Sequence, residues 1–184
     1  AKSNFKKAIS LNNTFEDAYC NLAMVYNHQG KLCKAKTNYT KAIKLNPKNS
    51  TTQHILNALD SKTTKTAPLS YVEDLFDNYA NNFEDSLLNK LDYNVPNKIA
   101  DMIKKYNNSL NIGSVLDLGC GTGLVGQELR TFSKNLDGID VSQKMLSLAK
   151  KKKVYDNLIK ENIVTFLSTS ILNYDYYLSA DVFI

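Results

Sequence analysis

The sequence predicts two architectures in series, α followed by α/β: an N-terminal run of paired helices, then a segment of strands and helices built on a parallel sheet. Three observations carry this reading. The chain repeats itself at a fixed interval near its start, its apolar period shifts from helical to strand-like near Ser114, and the first strand runs into a glycine-rich turn that opens a helix.

Sliding the chain against itself by 34 residues pairs Ala1 with Ala35, Phe5 with Tyr39, Ala8 with Ala42, Leu11 with Leu45 and Asn13 with Pro47. Glu16 to Asn49 is then one complete unit. Tyr19, Leu22, Ala23 and Tyr26 lie on its first helix, Gly30 at the turn, and Ala35, Tyr39, Ala42 and Pro47 on the second. Small residues at Ala23, Ala35 and Ala42 let the two helices approach, and tyrosines fill the space beside them. The unit resembles a tetratricopeptide repeat, and residues 1–15 resemble the second helix of a preceding one. That resemblance implies a groove for a protein partner. It also implies further repeats upstream, because such units bury their apolar faces only in stacks of about three or more. Residues 50–60, with Ile55, Leu56, Ala58 and Leu59, read as a capping helix, and the polar run Ser61 to Pro68 reads as a linker. The expected domains are 1–60, a linker 61–68, and 69–184.

With 43% hydrophobic and 22% charged residues, the 184-residue chain has enough apolar material for one or two cored domains. No apolar run reaches the roughly 18 residues that a membrane span requires, so no membrane partner is expected. Cys20, Cys33 and Cys120 are an odd number without a CxxC pair, which points away from disulfides and structural zinc and toward a reducing, cytoplasmic setting. No metal is implied. The net charge is +5, yet Arg130 is the only arginine, and nucleic-acid readers lean on arginine forks, so no nucleic acid is expected. The first residue is not Met and no targeting segment opens the chain, so both ends read as cut.

Beyond the linker, Tyr71, Val72, Leu75, Phe76, Tyr79 and Phe83 recur at helical spacing, and Leu87, Leu88 and Leu91 form a second apolar set. Two short helices are expected. Pro96 suits the first turn of another, with Ile99, Met102 and Ile103 inward. Strands are expected at Ser114 to Leu118, Leu136 to Val141, Asn157 to Ile159 and Tyr174 to Ile184, with helices between them, which requires a parallel sheet. Lys150 to Lys153 reads as a solvated helix end, and His28 and His54 as surface or turn residues.

The chemistry concentrates in Val115-Leu116-Asp117-Leu118-Gly119-Cys120-Gly121-Thr122-Gly123. Missing Cβ atoms let a ligand lie on the backbone, and free amides at the helix start point at it. Gly121, Gly123 and Gly126 also satisfy GxGxxG, so a dinucleotide site and a nicotinamide-dependent oxidoreductase are alternatives. Asp117 argues otherwise: a carboxylate at the mouth of this loop repels a pyrophosphate and attracts the ammonium of a methionine-like group. Asp140, 21 positions after Gly119, ends the next strand at the distance of a ribose-binding acid, whose two oxygens can accept from both ribose hydroxyls.

This segment resembles the first motif of the class I S-adenosylmethionine-dependent methyltransferases. The resemblance implies a Rossmann-like fold truncated after about the fourth strand, S-adenosylmethionine as cofactor, and a small-molecule or protein methyl acceptor. It assigns the cofactor to Asp117, Gly119, Cys120, Gly121, Gly123, Asp140, Val141 against adenine, and Asn162, which stands where the family usually has an adenine-binding Asp. An Asn accepts there through its carbonyl oxygen. Tyr71 to Phe83 resembles the family's lid helix, placing Tyr79 and Phe83 near cofactor or acceptor, and Asp181 falls on the acceptor side. Repeats followed by Ala67 to Tyr79 and this core resemble repeat-containing methyltransferases whose acceptors are undefined. No general base is evident, since both histidines lie in the repeat region. The alternative from another class is a repeat interaction module with a degenerate nucleotide fold. The 184-residue piece alone is expected to be catalytically silent.

Overall fold

The computed structural model describes residues 1–107, 111–169 and 173–182, and divides into two compact units, Ala1–Tyr71 and Val72–Ile184. The division falls within the first turn of a helix, three residues past the linker that the sequence suggests.

The first unit contains α1 (Lys2–Leu11), α2 (Glu16–His28), α3 (Leu32–Leu45) and α4 (Ser50–Leu59). Its core is Leu22, Ala23, Tyr26, Ala35 and Tyr39, packed by Phe5 and Ile9 from one side and by Ile55, Leu56 and Leu59 from the other. Ala23, Ala35 and Ala42 are fully buried, as close helix approach demands. Polar groups close the unit. Glu16 accepts from Asn49 Nδ2 at 2.6 Å, while Asn49 Oδ1 accepts from Thr52 N at 2.8 Å and so caps α4. Cys20 Sγ lies 3.1 Å from the buried Thr52 hydroxyl. His54 packs its ring on Tyr71 and pairs with the Thr64 hydroxyl at 3.0 Å.

The second unit begins along α5 (Leu69–Glu84), which continues directly into a π-helical turn at Asp85–Lys90. The two separate helices expected here are one continuous run. Glu84, Asp85 and Ser86 include no Gly or Pro, and the helix stops only where Asp92 adopts a left-handed φ of 49°. Then follow α6 (Val95–Tyr106), β1 (Ser114–Leu118), α7 (Leu124–Leu129), β2 (Asn135–Asp140), α8 (Gln143–Lys152), β3 (Asn157–Lys160), α9 (Ile163–Thr169) and β4 (Tyr176–Ser179).

All pairings are parallel, in the order β3-β2-β1-β4, with Asp117 opposite Gly138 and Leu178. β4 is shorter than the expected Tyr174 to Ile184. The chain leaves the ladder after Ser179, and Asp181 turns through φ 54°, while Phe183 and Ile184 lie outside the described residues. Side chains of β1 alternate between the two faces of the sheet. Val115 joins Ala100, Ile112, Val125, Leu129 and Leu136 on one face, and Leu116 and Leu118 join Ile139 on the other. The single arginine is committed internally: Arg130 donates to Asp156 Oδ2 at 2.9 Å and to the Ser133 carbonyl at 2.7 Å. No helix among the described residues is long and apolar enough to cross a membrane.

Candidate functional site

The turn after β1 passes through left-handed backbone at Gly119, Gly121 and Gly123, with φ of 72°, 52° and 87°, which glycine alone adopts without strain. Gly119 N and Cys120 N donate to the Ile139 carbonyl at 2.8 and 3.0 Å, so the turn is tied to the carboxyl end of β2. A Cβ at Gly121 would touch the Phe83 ring at 3.7 Å, which places the end of α5 over this turn. Phe83 meets Tyr79 edge-to-face at 5.7 Å between centroids, and Tyr79 remains partly exposed. Cys120 is a buried packing residue whose Sγ would lie 2.9 Å from a Cβ at Gly138, and burial pushes its thiol well above the ordinary range.

Asp140 holds the turn. Its Oδ2 accepts from Gly121 N at 2.9 Å and its Oδ1 from Ser142 N at 2.8 Å. The two oxygens expected to face ribose hydroxyls are therefore both already engaged by backbone amides, which leaves them only part of their accepting capacity. Burial is the main cause of its raised pKa, against which the Ser142, Gly121 and Val141 amides act in its favour. Val141 is half-buried beside it.

Asp117 lies behind the turn rather than at an open mouth. It shares the Val115 face of β1, is 1% exposed, and its Oδ2 accepts from the Tyr155 hydroxyl at 2.6 Å. Burial first, and the Asp140 charge as a lesser cause, raise its pKa from 3.8 to about 6, while the Tyr155 hydrogen bond opposes the rise.

Three further positions carry polar groups into this region. Asp77 on α5 accepts from Ser142 Oγ at 2.5 Å and from Lys144 N at 3.1 Å at the head of α8, and Ser142 Oγ caps that helix through Met145 N. Tyr93, between the π-helical turn and α6, hydrogen-bonds Asp181, and its phenol is pushed up chiefly by burial and then by that acid. Lys152 on α8 ion-pairs Glu84 at 2.6 Å and donates to Gln127 at 2.7 Å, so it is not part of a solvated helix end.

Asn162 departs from its expected use. Its Oδ1 accepts from Val164 N at 2.9 Å and Thr165 N at 3.2 Å, capping α9 with the carbonyl that the sequence reading gave to adenine. The side chain keeps only its amide donor for other partners.

The structure thus brings Asp117, Gly119, Cys120, Gly121, Gly123 and Asp140 together, and sets Phe83 against them. Asp77, Tyr93, Ser142 and Tyr155 join through contacts between residues 38 to 88 positions apart, and only Ser142, the cap after Asp140-Val141, carried a local signal.

Residues 115–183 match the family described as a methyltransferase domain, and residues 16–49 match the tetratricopeptide repeat. Over these stretches the chain resembles a methyltransferase domain and a tetratricopeptide repeat. An uncharacterized methyltransferase of Schizosaccharomyces pombe is 41% identical over 54 residues, covering 29% of this chain and 19% of that protein. Magnesium protoporphyrin IX methyltransferase from Synechocystis PCC 6803 has the same fold in two crystal structures. The one with bound SAH aligns at TM-score 0.52 and 19% identity over 63% of this chain and 59% of its own. The one with bound SAM aligns at 0.50 and 20% identity over 65% of each chain. The chain spans about a fifth of the yeast relative and less than two thirds of either structural neighbour.

Proposed function

We propose that this cradle binds S-adenosylmethionine and serves methyl transfer to a small-molecule or protein acceptor, with the repeat unit taking up a protein partner. The observation that carries the reading is a chain of acids around a glycine turn. Asp77 and Asp140 meet at Ser142, accepting from its hydroxyl at 2.5 Å and its amide at 2.8 Å, Asp140 also accepts from Gly121 N at 2.9 Å, and Asp117 is buried behind the same turn. Such a site is negative, so it fits a ligand with cationic sulfur and ammonium groups and disfavours a pyrophosphate. The bare turn at Gly119 to Gly123 gives that ligand room against the backbone.

When bound, the cofactor supplies a methyl group on positively charged sulfur. In this reading Asp140 accepts from the ribose hydroxyls with its remaining lone pairs, Val141 packs on adenine, and the Asn162 amide donates to a ring nitrogen. Phe83 and Tyr79 exclude water above the turn. The acceptor side is lined by Asp181, which Tyr93 holds in place. Positioning and exclusion of water are what the chain must contribute, and well-oriented reactants gain roughly 7–11 kcal/mol this way. Calorimetry with S-adenosylmethionine and, separately, NAD tests the reading. Binding of the first alone supports it; binding of NAD in preference would replace it with the oxidoreductase alternative.

A further inference from the structure

Tyr155 lies between α8 and β3, outside every motif that the sequence marks, yet the glycine-rich segment is shaped around it. A Cβ at Gly126 would meet Tyr155 Cζ and Oη at 2.5 Å each, and one at Gly123 would meet its ring at 3.0 Å and Ala149 Cβ at 3.4 Å. Gly126, the third glycine of the GxGxxG pattern, thus gives passage to an aromatic ring, and a phosphate need not explain it. The ring continues past α7, packs on the cluster containing Val125 and Leu129, and ends with its hydroxyl on Asp117 Oδ2 at 2.6 Å. Asp117 is sequestered at 1% exposure, and Tyr155 is partly buried.

We infer that Tyr155 is a positioning residue for the cofactor cradle, fixing the Asp117 carboxyl behind the glycine turn and keeping it ionised so that its charge acts on the cofactor's cationic groups. This rests on the proposed S-adenosylmethionine site and adds to it the residue that sets the charge of its innermost acid. A buried carboxylate is maintained only when hydrogen bonds favour the charged form over the neutral one. The groups facing Asp117 do not otherwise help. Asp140 at the end of β2 repels it, the Cys120 thiol is neutral, and Tyr93 is a neutral phenol already committed to Asp181. Among the groups facing it in the described residues, Tyr155 is left as the donor that holds the anion.

The test is Tyr155→Phe in the full chain, which keeps the ring that fills the space under Gly123 and Gly126 and removes only the hydroxyl. Two readouts separate this inference from the reading beneath it. In the cofactor-free chain, carbon-13 titration of the Asp117 carboxyl is expected to show its midpoint moved up by about one pH unit relative to the parent. An unchanged or lowered midpoint overturns the role of Tyr155 whatever the cofactor does. In calorimetry, affinity for S-adenosylmethionine is expected to fall about twofold at pH 7 and about fivefold at pH 6, following the ionised fraction of Asp117, and the pH at which binding is lost on acidification is expected to rise with the carboxyl midpoint. A uniform loss of affinity with no change in that pH would mark Tyr155 as packing alone and overturn the inference. Failure of the parent to bind S-adenosylmethionine at any pH overturns the cradle itself, and the carboxyl titration then still reports whether Tyr155 controls Asp117. Should Tyr155→Phe fold poorly, Asp117→Asn serves instead: its binding is expected to lose the part of the acid-side dependence centred near pH 6, and a profile unchanged there overturns the inference.

Discussion

Gly126 sits inside a helix, where alanine ordinarily stabilises by about 1 kcal/mol. Its neighbour Tyr155 reverses the sign. With ring atoms 2.5 Å from the added Cβ, Gly126→Ala is expected to destabilise the unit by about 1–3 kcal/mol, read as a lower urea midpoint at unchanged slope. Asp117 yields a second outcome at this scale. Its folded pKa of about 6 lies above the ordinary 3.8, so the folded chain binds an extra proton between those values. Stability of the cofactor-free chain therefore rises as pH falls through that window, and at neutral pH the buried charge is a standing penalty. Asp117→Asn is expected to be more stable than the parent at neutral pH, by up to about 3 kcal/mol, with the advantage gone below the ordinary carboxylate range; thermal unfolding at both pH values reads it. The glycines were legible because the turn demands them locally, and Asp140 from its spacing to them; Asp117 was marked by its place in the motif, but its position behind the turn was not. Tyr155 and Tyr93 were not, since each reaches its acid across the fold and neither spacing nor period marks such a contact.

Helix α5 shows what an element adds. Glu73 faces Lys160 at 3.5 Å, Asp77 binds the head of α8, and Glu84 ion-pairs Lys152 at 2.6 Å, so three acids on one helix fasten it to the sheet unit. Removing the central one in Asp77→Ala is expected to speed amide exchange along α5 and at the start of α8, while β1 amides stay protected. Equal protection in the variant would show that the apolar face of α5 alone holds it. The helical period of this segment was readable, but its continuity was not, because apolar spacing weakens between Phe83 and Leu87 without any residue that breaks a helix. Asn162 errs in the other direction. Its position after β3 was legible, and its carbonyl is taken by the first turn of α9, a demand that comes from the helix start itself.

At the scale of the molecule, the parallel order β3-β2-β1-β4 brings the ends of β1 and β2 side by side, so Gly121 and Asp140, 19 residues apart, meet through one hydrogen bond. Alternation of strand and helix predicted this neighbourhood, as right-handed crossovers leave few other arrangements. The repeat was equally legible, from its small and aromatic residues at matching positions, and these form the core of the first unit. The extent of β4 was not, because its apolar run continues past the point where Asp181 turns away from the ladder. The claim on which function depends is that the acids flanking the glycine turn select a cationic nucleoside. Calorimetry of the full chain against S-adenosylmethionine, beside Asp140→Ala, tests it most directly. The expected result is one site per chain in the parent and affinity at least tenfold weaker in the variant, as loss of hydrogen bonds to a charged group of about 1.5–3 kcal/mol implies. No heat from the parent at millimolar cofactor, or equal affinity in both proteins, would contradict it.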